Sequence, residues 1–196
     1  MKRALSLMAL GLLVAVAGAN ACDGMLSLFS DQSGGSCDAV IGYCEPVPLY
    51  LMYIRGTGPE IAGGVAFRLL KSTTDVMFLE PQWSGDNLSF GSLESGIDVV
   101  FNAEAGGWCS GSASVAYVGT IPVINFSDPD TFTVSVVDQP SYSGVVVIEC
   151  LPGNPLHHVR GGTFIFNGEC GSPEDPFGEH VAVAALSWGA IKNLYR

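Results

Sequence analysis

Short apolar runs separated by Gly- and Pro-containing segments recur along most of this chain. In Thr131–Asp138 the apolar residues Phe132, Val134 and Val136 alternate with polar ones, which is the period of a strand with one buried face. Nine runs predict strands: Met25–Phe29, Pro48–Arg55, Gly64–Lys71, Asp75–Leu79, Ile97–Asn102, Ser114–Ile124, Thr131–Asp138, Gly144–Cys150 and Gly162–Asn167. This spacing predicts an all-β antiparallel β-sandwich, immunoglobulin-like or jelly-roll-like. Because Pro122 cannot donate to a ladder, its strand should bend or lie at an edge.

The pattern changes after Cys170. Residues 171–196 begin with an acidic, Pro-containing spacer and end in a segment with helical spacing. There Trp188, Ile191, Leu194 and Tyr195 share one face, which predicts a short amphipathic C-terminal helix. Such a short helix does not persist alone in water. Two interpretations stay open: it covers an open end of the sandwich, or it binds a surface or export partner.

The first 21 residues resemble an export signal. Lys2 and Arg3 precede the uncharged apolar run Ala4–Ala17, and Ala19-Asn20-Ala21 gives a small-x-small cleavage pattern. We therefore predict a signal peptide over 1–21, a β-sandwich domain over 22–170, and a secreted or cell-surface protein, with a periplasmic location also open. No later segment is long and apolar enough for a transmembrane helix. Lipid attachment at Cys22 is disfavoured, because the preceding residues fit a lipobox poorly.

An even number of cysteines in an exported chain favours disulfide bonds over metal ligation. The six are Cys22, Cys37, Cys44, Cys109, Cys150 and Cys170. Cys150 and Cys170 flank two strands that we expect to be neighbours, so we predict that they pair. The pairing of the other four is not determined by the sequence.

The charge balance argues against nucleic-acid binding. Without Lys2 and Arg3, 6 basic residues face 19 acidic ones, a formal charge of −13. Nucleic-acid affinity depends on neutralising phosphates with Lys and Arg, which this chain lacks.

No motif assembles a catalytic, metal or cofactor site, so we predict none of the three. Gly-x-Ser-x-Gly is absent, and Ser110 lacks the spacing of a nucleophile elbow. The adjacent His157 and His158 would point to opposite faces of a strand, and we expect them in an exposed loop. A sugar-binding platform would need an exposed row of rings; the candidates are Trp83, Trp108, Tyr43, Tyr117 and Tyr142.

Four short segments resemble uncharacterised secreted bacterial β-rich proteins. They are Leu26-Ser27-Leu28-Phe29-Ser30-Asp31 with Cys37, Gly63-Gly64-Val65-Ala66-Phe67-Arg68, Gly161-Gly162-Thr163-Phe164 with Cys170, and the tail Trp188-Gly189-Ala190-Ile191-Lys192-Asn193-Leu194-Tyr195-Arg196. That group has no assigned activity, so the resemblance implies only an exported β-rich fold.

The sequence therefore favours an exported, non-enzymatic protein with a structural or adhesive role. Two alternatives stay open: a module that binds carbohydrate or another small ligand through aromatic side chains, and a secreted hydrolase whose site has no recognisable motif.

Overall fold

A computed structural model describes residues 24–55, 62–101, 115–128, 130–150 and 152–169. This part of the chain forms thirteen strands. In order they are β1 Met25–Phe29, β2 Asp38–Ala39, β3 Pro46–Ile54, β4 Ala62–Lys71, β5 Val76–Phe78, β6 Gln82–Trp83, β7 Asn87–Ser92, β8 Gly96–Phe101, β9 Val115–Asn125, β10 Phe132–Val137, β11 Val145–Glu149, β12 Leu156–Gly161 and β13 Thr163–Phe166.

One layer is built around the long antiparallel pair of β3 and β9. Their register runs from Pro46 opposite Ile124 to Ile54 opposite Val115, with an irregularity at Leu51/Met52. Strand β1 pairs with the other edge of β3, and the short strands β5 and β6 both pair with β9. The layer therefore has the order β1-β3-β9, with β5 and β6 sharing the outer side of β9.

The second layer is built around β4. On one side β4 pairs with β8, which pairs with β7. In the other pairings of β4, Val137 of β10 lies opposite Arg68 and Val146 of β11 lies opposite Ala66. Because only Phe67 separates these two positions on β4, β10 and β11 form one interrupted line, and residues 138–144 loop out between them. Strands β13 and β2 extend the layer beyond β10.

The two layers are joined where β12 passes into β13. Strand β12 pairs antiparallel with β11 and parallel with β1. At the crossover, the backbone N–H of Gly162 donates to Leu26 of β1 at 2.9 Å, and the N–H of Val136 in β10 donates to Gly162 at 2.9 Å. The Gly161-Gly162 crossover therefore makes backbone hydrogen bonds to strands of both layers.

A single hydrophobic core fills the space between the layers. The fully buried side chains come from alternate positions of each layer, as a sandwich requires. They include Leu26, Leu28, Leu49, Leu51, Ile121 and Val123 from the first layer, and Val65, Phe67, Leu69, Val99, Val134, Phe164 and Phe166 from the second. The aromatic rings of Phe132, Phe164 and Phe166 lie 4.7–4.9 Å apart in successive pairs.

The all-β sandwich prediction is confirmed, and each of the nine predicted runs contains a strand. Strands β2, β6, β7 and β12 were not predicted. The edge placement of Pro122 is wrong, because β9 is an inner strand. Pro122 lies between the part of β9 that pairs with β6 and the part that pairs with β5. The predicted signal peptide and C-terminal helix lie outside the described residues.

Candidate functional site

A row of apolar side chains crosses the outer surface of the second layer. The register places Leu88 of β7 opposite Val100 of β8, Val100 opposite Gly64 of β4, Gly64 opposite Ile148 of β11, and Ile148 opposite Leu156 of β12. Paired residues point to the same face of a sheet, and neighbouring strands lie about 4.8 Å apart. We call these five residues the apolar row; it spans about 19 Å.

The apolar row is open to solvent. Leu88 is 65% exposed, Leu156 49% and Val100 38%, and Ile148 is half-buried. A Cβ at Gly64 would lie 2.7 Å from the Val99 carbonyl oxygen and 3.2 Å from Cδ1 of Ile148. The glycine therefore leaves the space that the Ile148 side chain needs, and the row is continuous across the layer.

The neighbouring row on the same face is covered in its centre. It consists of Phe90, Asp98, Ala66, Val146 and His158, and both Ala66 and Val146 are fully buried. The 138–144 loop is tied to this row by Asp98. Phe90, at the β7 end, is 60% exposed and extends the exposed apolar surface beside Leu88.

Asp98 fixes the position of the 138–144 loop. Its Oδ1 accepts a hydrogen bond from Nε2 of Gln139 at 3.0 Å, and its Oδ2 accepts one from the Tyr142 hydroxyl at 3.4 Å. Gln139 Oε1 in turn accepts from the N–H of Ser141 at 2.9 Å. Desolvation, with the nearby Asp98 carboxylate, raises the pKa of Tyr142 above its ordinary value. Tyr142 therefore stays protonated and donating at neutral pH.

The chemistry of the apolar row suits binding. Its four side chains carry no charge and no nucleophile, in a chain with 19 acidic residues. An exposed contiguous apolar patch on a soluble domain typically marks an interaction surface. Burying one Leu or Val side chain on association is worth about 1.5–3 kcal/mol.

The structure does not bring the sequence-predicted aromatic platform together. Trp83 turns inward, packing against the core and edge-on to Phe67 at 6.3 Å. Tyr43 is exposed beside Asn125 at one end of β9, whereas Tyr117 lies near the other end against Tyr50 at 6.4 Å. Tyr142 lies on the other layer, and Trp108 is outside the described residues.

The two adjacent histidines lie on β12, so their predicted loop placement is wrong. Leu156 to Val159 pair with β11, which draws this segment into the sheet. Nε2 of His157 lies 2.9 Å from Oε2 of Glu149, whereas the ring of His158 lies against Gly144. Neither histidine has a serine partner in the described part of the chain; Ser110 and His180 are outside it.

The described residues contain no group of three or more His, Cys, Asp or Glu side chains that could hold a metal ion. Cys37 and Cys150 each take part in a disulfide bond, and Cys44 is a free, exposed thiol. The predicted Cys150–Cys170 pair stays a prediction, because Cys170 lies outside the described residues. The same holds for Cys22 and Cys109.

A cleft of about 600 Å³ opens at the seam between the layers, between β5–β6 and β7. Its lining includes Phe78, Trp83, Ser89 and Glu94. Glu94 forms a 2.5 Å ion pair with Lys71, whose ammonium also lies 5.6 Å from the Phe78 ring centre. The Glu94 carboxylate is therefore paired with Lys71, and Glu80 is the other carboxylate in the lining.

None of the described residues belongs to a helix of the length and apolarity that a membrane span requires. The tail residues proposed to contact a partner, Trp188, Ile191, Leu194 and Tyr195, lie outside this part of the chain.

Sequence reasoning missed the apolar row because two of its strands, β7 and β12, were not predicted. The available signal was the alternation Asn-Leu-Ser-Phe-Gly-Ser over 87–92. That signal is weak, because Ser and Gly are poor strand formers.

No family model and no curated protein matches this chain. Solved structures do match its fold. A cohesin module from a Clostridium perfringens family 33 glycoside hydrolase aligns with TM-score 0.52 at 6% identity, over 74% of this chain and 96% of the module. The CaDoc0917–CaCohA2 complex aligns with a TM-score of 0.51 at 7% identity, over 73% of this chain and 97% of the matched chain.

The sixth cohesin of Acetivibrio cellulolyticus scaffoldin B, solved with a Cel5 dockerin, gives a TM-score of 0.50 at 10% identity, over 74% of this chain and 99% of the cohesin. At these identities the likeness concerns the fold. The chain is an all-β sandwich of the jelly-roll type similar to cohesin modules.

Proposed function

We propose that this protein is an exported, non-enzymatic adhesion module that binds a protein partner through the apolar row. The observation that carries the proposal is the exposed row itself, which extends across five strands of a strongly acidic domain. Exposed apolar surface is costly unless a partner covers it, and the fully desolvated centre of a protein interface is typically apolar and poor in charge.

The fold supports a protein rather than a small molecule as the partner. Two of the similar cohesin modules were solved in complexes with dockerin partners. An exposed row on a sheet face also suits a protein surface, since small ligands bind mostly in concave pockets. Export, disulfide bonding beyond Cys37 and Cys150, and a surface location are parts of this proposal that rest on the sequence.

The carbohydrate-binding and hydrolase alternatives have less support. The four predicted rings in the described part of the chain are dispersed over both layers, so they offer no common stacking surface. His157 pairs with Glu149, and the ring of His158 lies against Gly144, so neither described histidine lies in a His–Ser arrangement.

The test is affinity capture from the extracellular fraction of the source cells. The double variant Leu88→Ser/Leu156→Ser removes two exposed side chains from the apolar row, so we expect unfolding free energy within about 0.5 kcal/mol of wild type. We expect immobilised wild type to capture a partner protein that the double variant does not capture, because the variant lacks two apolar contacts.

The matched control is Val40→Ser/Tyr43→Ser, which removes two exposed apolar side chains away from the apolar row. This control should retain the same partner. The proposal is wrong if the row variant and the control capture the same proteins as wild type.

A further inference from the structure

Among the described strands, β7 forms an open edge of the second layer. It pairs with β8 along Asn87–Ser92 in a regular register without a bulge, and no described strand pairs with its outer side. The other edge strands of the described sheet are much shorter, at two residues each in β2 and β6 and three in β5. A six-residue edge presents a row of backbone N–H and C=O groups that another strand can bind.

The sequence of β7 has none of the usual protection. Natural edges are blocked by Lys, Pro, inward charges or bulges, whereas Asn-Leu-Ser-Phe-Gly-Ser has no charge and no proline. Five of its six residues are exposed. Leu88 and Phe90 point to the outer face, where they are 65% and 60% exposed, and Ser89 and Gly91 point toward the seam.

We propose that β7 pairs antiparallel with β7 of a second copy of this chain, giving a two-fold dimer with a continuous outer sheet face. An isologous contact must be self-complementary. With the two-fold axis at Ser89, this residue lies opposite Ser89 of the partner subunit, Leu88 lies opposite Phe90 of the partner subunit, and every opposed pair from Asn87 to Gly91 is uncharged. Leu88 and Phe90 of the two copies then form one apolar cluster.

The charge of the chain explains why this edge suits a second copy. Two copies of the chain without its predicted signal peptide, each of formal charge −13, repel each other wherever acidic surfaces meet. An uncharged strand allows contact without opposing like charges, while Asp86 and Glu94 lie just outside the paired segment. The contact is small, so we expect a dissociation constant on the order of 100 µM.

The experiment is sedimentation equilibrium of the purified exported protein, with Cys44→Ser in every sample so that an intermolecular disulfide cannot imitate the dimer. We expect the wild-type edge to give a monomer–dimer equilibrium that tightens as NaCl is raised, because salt screens the repulsion. Ser89→Glu should weaken it at least tenfold. Gln32→Glu adds the same charge on an exposed turn and should leave it unchanged.

A mixture of Ser89→Glu and Ser89→Lys should restore the dimer, because opposite charges then face each other across the new strand pair. Circular dichroism and thermal unfolding of each variant verify that it folds. The proposal is overturned if the protein with the wild-type β7 stays monomeric, or if the dimer survives Ser89→Glu. It is also overturned if the mixture of Ser89→Glu and Ser89→Lys does not associate.

Discussion

Replacing Gly161 by alanine tests the crossover that joins the two layers. The added Cβ would overlap the carbonyl oxygen of Val136 and lie 2.7 Å from its carbonyl carbon. Both atoms belong to the backbone of β10, which cannot rotate away as a side chain can. The backbone dihedral of Gly161 lies outside the left-handed region, so the predicted cost comes from this contact.

The magnitude follows from two opposing effects. Adding volume to a packed site typically costs about 1–3 kcal/mol, and a contact with backbone belongs at the upper end. Alanine also restricts the unfolded chain more than glycine does, which raises the unfolding free energy by about 0.4–1 kcal/mol. We therefore expect a net loss of about 2–3 kcal/mol in unfolding free energy, which lowers Tm by about 4–12 °C.

Urea denaturation under non-reducing conditions measures this loss. Gly35→Ala is the matched control, because Gly35 is exposed and an added Cβ there would have no neighbour closer than the side-chain atom Ser33 Oγ at 3.3 Å. We expect this control to stay within about 0.5 kcal/mol of wild type. A Gly161→Ala protein as stable as the Gly35→Ala protein would refute the close packing of the crossover.

Three further predictions concern the core, a turn and the 138–144 loop. Phe164→Ala should lower the unfolding free energy by about 3–5 kcal/mol in denaturant titration, because it opens a cavity beside Phe166, and Phe164→Leu should cost less. Desolvation opposes ionisation of Asp31, but hydrogen bonds from Ser33, Gly35 and Ser36 outweigh it and lower the pKa. This carboxylate therefore stabilises the fold above its unfolded-state pKa of 3.8, and that contribution is lost as pH falls through the lower folded value. The stability difference between wild type and Asp31→Asn should therefore begin to shrink below about pH 5 and should continue to shrink as pH falls below 3.8. Asp98→Asn should lower the raised pKa of Tyr142, measured by NMR titration, because it removes the carboxylate that opposes tyrosinate formation.

The strands that were predictable from the sequence are those that contribute to the core. In β1, β4 and β10 the apolar residues alternate or run continuously, because one or both faces are buried. Strand β7 contributes little to the core, and its Ser and Gly residues resemble a turn. Strand β12 was missed because His157, His158 and Arg160 interrupt its apolar pattern.

The candidate site was less predictable than the fold, for a physical reason. Leu88 and Leu156 are far apart in the sequence and meet in one row only through four successive strand registers. Pairing order is decided by long-range packing, which no local pattern encodes. The prominent residues, Trp83 and the two histidines, have structural partners instead.

Covalent labelling of surface side chains, read out residue by residue, tests the central claim most directly. Purified protein is compared with protein in its native extracellular fraction. A partner bound to the apolar row should protect Leu88, Val100 and Leu156 together, while Val40 and Phe126, which are also exposed, keep their labelling. Equal labelling of the three row residues in both samples would contradict the claim.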